Sequence, residues 1–273
     1  MTVATDRIAE LFERCRGENR AALVMYLTAG YPDLETTRRI LPVLEASGCD
    51  LVEFGIPFSD PIADGPVIQQ ASTVALQAGM TLNKGFEVIE DFRRSSSLPI
   101  LMFGALNPFL AHGLPQCVEK AARLGIDGFL IPDMPVEEAG EFRNLCRARG
   151  QHLIQFIAPT TPPARMRLIA STSSGFLYCF ALKGVTGIRD SVELSVGDYM
   201  DQVREATNLP LALGFGISRP EHVRAVVPHC DAVVVGTGLI RVISECAERG
   251  GNLEDEVGAY VRSLAGALKR SGG

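Results

Sequence analysis

Short apolar runs alternate with amphipathic stretches from one end of the chain to the other. The runs predict strands at Ala22–Thr28, Asp50–Gly55, Pro99–Phe103, Gly128–Pro132, His152–Ala158, Gly175–Ala181, Pro210–Phe215 and Ala232–Val235. Between them the apolar positions recur at helical spacing. Leu34, Leu41 and Leu44 mark one helix that Gly48 stops, Val118, Ala121 and Leu124 a second ended by Gly125, and Phe142 and Cys146 a third ended by Gly150. Ile8, Leu11 and Phe12 place an extra helix over about Thr5–Arg14, before the first strand. Strands that alternate with helices form parallel sheets, because parallel neighbours need a crossover and the crossover is right-handed. Eight such units can close into a (β/α)₈ TIM barrel, and the length of 273 residues suits one. No Gly/Ser linker or shift of composition divides the chain, so the expectation is a single domain over residues 1–273, with an open doubly wound sheet as the alternative fold.

Composition narrows the function. Hydrophobic residues make up 47% and charged residues 21%, which argues against disorder. With 26 basic and 32 acidic residues the net charge is −6, a poor match to gripping a nucleic-acid backbone. No apolar run approaches the roughly 20 residues that span a bilayer. The N-terminus lacks the basic-then-apolar order of a signal peptide. Seven scattered cysteines, with no Cys-x-x-Cys pair, read as reduced buried thiols and hence a cytoplasmic protein. His112, His152, His222 and His229 are too dispersed to suggest a metal centre.

In a βα barrel, chemistry sits where strands end and loops begin. The strongest break in the apolar rule there is Glu53. Alternation puts Leu51, Glu53 and Gly55 on one face and Val52 and Phe54 on the other. If the apolar pair faces the helices, Glu53 points into the barrel mouth, where poor solvation raises a carboxyl pKa and suits it to acid catalysis. Asp60 and Asp64 follow in a loop stiffened by Pro57, Pro61 and Pro66. The alternative is a core carboxylate paired with an arginine, followed by ordinary turn aspartates. Late in the chain, strands six, seven and eight run into Gly184-Val185-Thr186-Gly187, Gly214-Phe215-Gly216 and Gly236-Thr237-Gly238. Glycine-rich strand ends in the last third of a barrel let backbone N–H groups and helix N-termini approach a phosphate. Tyr178 shares a face with Phe176 and Phe180 and points inward, as a core residue or a substrate contact. Lys183 lies where a Schiff-base lysine could stand, but its parity with Cys179 and Ala181 favours the outward face. There is no Gly-x-Ser-x-Gly, phosphate-loop or His-Glu-x-x-His motif.

The run from Glu53 to Pro66, Glu-Phe-Gly-Ile-Pro-Phe-Ser-Asp-Pro-Ile-Ala-Asp-Gly-Pro, closely resembles the signature of the tryptophan synthase α subunit family. Thr28-Ala29-Gly30-Tyr31-Pro32, Asn107-Pro108, the segment Pro132–Glu138, Gly184–Gly187 and Gly214–Ser218 follow in the family's order and spacing. The resemblance implies a barrel that cleaves indole-3-glycerol phosphate to indole and glyceraldehyde 3-phosphate, a retro-aldol reaction with no metal or cofactor in this chain. It implies that Glu53 protonates indole C3 and handles the glycerol hydroxyl proton, and that Asp64 accepts the indole N–H proton or stabilises the cation. It further implies that Tyr26 lines the indole pocket and that Tyr178 is an active-site tyrosine. Gly187, Phe215, Gly216, Gly236 and Thr237 match the phosphate site, and the loop with Thr186 would close over substrate. The implied partner is a β subunit that carries pyridoxal phosphate and takes up indole in an α₂β₂ complex, faced by Asp60, Asn107, Pro108 and Pro135.

Three departures from the family pattern stand out. Gly104-Ala105-Leu106 replaces bulkier residues before Asn-Pro and implies a reshaped indole pocket. Leu182-Lys183 stands where smaller or polar residues are usual, which bears on loop closure, and Gly236-Thr237-Gly238 where Gly-Ser-Ala is frequent. Other functions compatible with the sequence are a stand-alone lyase releasing free indole, a barrel that only activates its partner, and an aldolase using Lys183.

Overall fold

The computed structural model describes residues 6–61, 64–180, 195–214 and 216–270. Eight parallel strands close on themselves in sequence order: β1 (Ala22–Thr28), β2 (Leu51–Gly55), β3 (Ile100–Phe103), β4 (Gly128–Leu130), β5 (His152–Ile157), β6 (Leu177–Phe180), β7 (Leu211–Gly214) and β8 (Ala232–Val235). Closure rests on β1 pairing with β8, with Ala22 opposite Ala232 and Met25 opposite Val235. The expected TIM barrel is therefore the fold, and the open sheet is excluded. Each predicted strand is present, with ends that differ by at most two residues.

Strand alternation divides the apolar side chains into two layers. Leu23, Met25, Val52, Phe54, Met102 and Val233 face the surrounding helices. Ala22, Val24, Leu51, Leu101, Leu130, Ile154, Phe176, Ala212 and Val234 fill the barrel. The N-terminal helix closes the bottom of that inner layer. It runs Arg7–Gly17, later than the sequence suggests, because the Asp6 side chain accepts from the Ala9 N–H and caps it there. Its Ile8, Leu11, Phe12 and Cys15 pack beneath the strands, with Phe12 at 5.8 Å from Phe176 between ring centroids.

A repeated device joins the strands at this end. Asp50, Asp127 and Asp231 directly precede β2, β4 and β8. Each accepts a backbone N–H from the adjoining strand: Leu23 at 2.9 Å, Ile100 at 2.8 Å and Leu211 at 2.9 Å. Each carboxylate also meets an arginine, Arg20 at 2.6 Å, Arg7 at 2.8 Å and Arg204 at 2.6 Å respectively. Charge buried here is paired and hydrogen-bonded, which makes its desolvation tolerable. The N-terminal end of the barrel is thus tied shut, while Tyr26, Glu53, Asp64 and Tyr178 line a cavity at the other end.

Candidate active site

Above Leu51 the inward positions of β1, β2 and β6 change character, to Tyr26, Glu53 and Tyr178. Tyr26 lies directly across the register from Glu53. Glu53 is 1% exposed, and its Oε1 has no hydrogen-bond partner among the described residues. The arginine-paired alternative is therefore not the arrangement found. Burial alone pushes the carboxyl up to about 8. Asp64 reaches the same space from the loop after β2, where burial raises it to about 6. Its backbone carbonyl accepts from Gln69 Nε2 at 3.0 Å, which ties the loop to the helix Pro66–Gln77. At neutral pH the pair therefore offers one protonated and one ionised carboxyl. Burial, then the charges of the two carboxyls, pushes both tyrosines upward, so each keeps its hydroxyl proton.

These side chains surround a cavity of ≈ 300 Å³ at the C-terminal end of the barrel. Glu53, Asp64, Tyr26 and Tyr178 line it together with Phe103 and Phe180. An aromatic wall continues round the barrel: Tyr26–Phe103 at 5.3 Å, Phe156–Tyr178 at 5.1 Å and Phe156–Phe180 stacked at 5.5 Å. Such a wall accepts a flat apolar ring. Both tyrosines depend on missing side chains opposite them. A Cβ at Gly55 would strike the Tyr26 hydroxyl, and one at Gly214 the Tyr178 hydroxyl.

The same cavity extends to Gly216, Ser218, Gly236 and Thr237. Gly216 has φ +78°, a backbone conformation that other residues adopt only with strain. Thr237 opens the helix Thr237–Arg249, whose free N–H groups and dipole favour an anion. Arg241, one turn further along that helix, also lines the cavity. Sequence reasoning missed it, although a cation four residues after Thr237 on the same helix was a readable signal. Phe103 and Phe180 were missed as wall residues too, while Phe215, Thr186, Gly187 and Lys183 fall outside the described residues.

A smaller cavity of ≈ 70 Å³ adjoins the first and shares Tyr26, Asp64 and Phe103 with it. Ile56, Phe58, Pro61, Gly104, Ala105, Pro132 and Asp133 complete it, so the small residues before Asn107 do leave room there. The loops after β2, β3 and β4 meet around this space, and Asp133 accepts the Leu106 N–H at 2.9 Å. Asp60 and Pro135 are exposed on these loops, while Asn107, exposed, and Pro108, half-buried, lie in the first turn of the helix Leu106–His112. Leu110 stands beside them as one of two exposed large hydrophobic residues among those described.

Comparison with known proteins agrees with this geometry over almost the entire chain. The sequence profile described as tryptophan synthase alpha chain matches residues 12–269. The tryptophan synthase alpha chain of Chloroflexus aggregans is 44% identical over 268 residues, covering 97% of this chain and 99% of that one. Its counterpart from Geotalea uraniireducens is 42% identical over 267 residues, covering 98% and 99%. Among solved structures, tryptophan synthase subunit alpha from Legionella pneumophila superposes with a TM-score of 0.87 at 32% identity, covering 97% of this chain and 98% of that one. A chain of Mycobacterium tuberculosis tryptophan synthase superposes with a TM-score of 0.88 at 28% identity, covering 97% and 99%.

Proposed function

The chain belongs to the tryptophan synthase alpha chain family, and from that membership we propose that Glu53 and Asp64 carry out the cleavage of indole-3-glycerol phosphate. The products are indole and glyceraldehyde 3-phosphate, and the reaction serves tryptophan biosynthesis. One observation carries the assignment of roles. A buried carboxyl at about 8 and a half-buried one at about 6 share a single cavity with an aromatic wall and a glycine-rich anion end.

The carbon–carbon bond of this substrate breaks only once indole C3 is protonated. Glu53, uncharged at neutral pH, supplies that proton, and the Asp64 carboxylate accepts the hydrogen of the indole nitrogen. The bond from C3 to the glycerol carbon then parts, its electron pair returns to the ring, and Asp64 gives its proton back to the ring nitrogen, which forms indole and restores the carboxylate. The glycerol hydroxyl gives its proton to the Glu53 carboxylate, which restores the acid, and the carbon bearing it becomes the aldehyde of glyceraldehyde 3-phosphate. Acid and base must act on opposite sides of one indole, which suits two carboxyls in different environments. Tyr26, Tyr178, Phe103 and Phe180 hold the ring. The N–H groups around Gly216, Gly236 and Thr237, together with Gly187 and Phe215, hold the phosphate.

Arg241 adds a cation to that end. Replacing it by Gln should raise KM by about three- to tenfold with little change in kcat, because an exposed charge contributes equally to bound substrate and transition state. Steady-state assays at two salt concentrations check this, since the difference shrinks as salt rises.

The reading extends to a partner. Asp60, Asn107, Pro108 and Pro135, with the exposed Leu110, form a face for a β subunit that carries pyridoxal phosphate, in an α₂β₂ heterotetramer. All seven cysteines are buried and unpaired, which suits a reducing cytoplasm. Indole is apolar enough to leak through membranes, so direct transfer to a partner conserves it. The test is indole release from indole-3-glycerol phosphate, measured alone and with a β subunit added. Strong activation is expected. High unassisted turnover that the partner leaves unchanged would instead mark a stand-alone lyase.

A further inference from the structure

Behind the anion end of the cavity, two loops of different origin meet on one side chain. Tyr260 comes from the helix Leu253–Ala265 and donates its hydroxyl to the Ser218 carbonyl at 2.8 Å. The same hydroxyl fills the space that a Cβ on Gly238 would occupy, and that Cβ would also stand 3.2 Å from Ser218 Cβ. Ser218 belongs to the loop after β7, and Gly238 to the first turn of the helix after β8. Ser218, Gly236 and Thr237 line the cavity, and Tyr260 stands behind them.

We propose that Tyr260 is a positioning residue for the phosphate end, setting the spacing between the loop after β7 and the helix turn after β8, and that Gly238 is glycine in order to admit its hydroxyl. The proposal rests on the reading of this end as the phosphate site. An anion held by donors from two separate loops is bound well only if their spacing is fixed to within about half an ångström. The loop on the β7 side needs support for a local reason. It runs from Gly216, in a left-handed conformation, to the helix that starts at Pro220, so regular structure does not hold it. The Tyr260 hydrogen bond supplies an anchor from outside the barrel. This also accounts for Gly-Thr-Gly at residues 236–238, where the family pattern leads one to expect Gly-Ser-Ala. A methyl group at 238 and the hydroxyl of Tyr260 compete for the same place.

The test uses the full chain and inorganic phosphate as a competitive inhibitor of indole-3-glycerol phosphate cleavage. Tyr260→Phe should raise both the inhibition constant for phosphate and KM by about three- to tenfold, the range expected for losing one hydrogen bond, while kcat moves far less. Gly238→Ala should act in the same direction. The double variant should fall well short of the product of the two effects, because both changes break one contact. A Tyr260→Phe chain that melts earlier but keeps the unmodified phosphate constant and KM would overturn the proposal and leave Tyr260 with a packing role only. If Gly238→Ala does not fold, Tyr260→Phe decides alone, since it removes a single oxygen. Absence of phosphate inhibition in the unmodified chain is a separate result. It would remove the reading of the cavity end, and the proposal with it.

Discussion

A Glu53→Gln variant should release indole from indole-3-glycerol phosphate about 10²–10⁴ times more slowly than the unmodified chain, the usual cost of removing a general acid. Its inhibition by inorganic phosphate should be largely unchanged. The amide keeps the size of the carboxyl and its place on β2, but it cannot deliver a proton to carbon. The loss should appear equally in kcat and kcat/KM, because protonation of C3 belongs to the transition state and not to the bound substrate. In the unmodified chain kcat/KM should fall as pH rises through about 8, where Glu53 ionises, and in the variant that limb should vanish.

Stability gives the same substitution a second readout with a definite sign. The Glu53 carboxyl is lifted from the ordinary 4.5 to about 8 by burial. Between those values the folded chain holds a proton that the unfolded chain has released, so stability falls by about 1.4 kcal/mol per pH unit over that window and levels off above it. Gln carries no such proton. The variant should therefore gain stability relative to the unmodified chain as pH rises from about 4.5 to about 8, which denaturant titrations at several pH values will measure. A variant within tenfold of normal turnover at pH 7, or one whose relative stability ignores pH, would remove Glu53 from the role of buried acid.

The strands were legible because a parallel barrel strand is apolar on both faces and bounded by turn residues, and because Gly48, Gly125 and Gly150 end helices in a left-handed conformation. The inward direction of Glu53 and Tyr178 followed from alternation alone, since Val52 and Phe54 had to face helices. Closure of the sheet was not decided by any local pattern. It depends on Ala22 meeting Ala232, a pairing across nearly the whole chain. Partners that meet only after folding were beyond local reading for the same reason. Asp50, Asp127 and Asp231 look like turn residues, and nothing near them announces Arg20, Arg7 or Arg204. Phe103 reads as the end of a core strand, and only the register of β3 against β2 turns it toward Tyr26. Tyr260 sits on an ordinary amphipathic helix more than 20 residues past Gly238, so its tie to Ser218 leaves no mark in the sequence. What could be read was periodic or chemically out of place. What could not was a juxtaposition of two unremarkable residues.

The second large effect concerns Asp64. Replacing it by Asn should lower kcat by about 10²–10³-fold, less than the loss at Glu53, with KM little changed. The smaller loss follows from what asparagine retains. Its carbonyl oxygen can still accept the indole N–H, so the ring stays oriented, but it can neither take the proton nor oppose the positive charge that C3 protonation places on the ring. That opposition is worth most inside a dry aromatic pocket, where Tyr26 and Phe103 keep water from screening it. The pH profile separates this role from mere positioning. In the unmodified chain kcat/KM should fall as pH drops through about 6, where Asp64 takes up a proton, giving a plateau between about 6 and about 8 that the two carboxyls bound. The Asp64→Asn profile should lose its acidic limb and keep the alkaline one, and the Glu53→Gln profile should do the reverse. Retention of the limb near 6 in the asparagine variant would assign that ionisation to another group and remove Asp64 as the base.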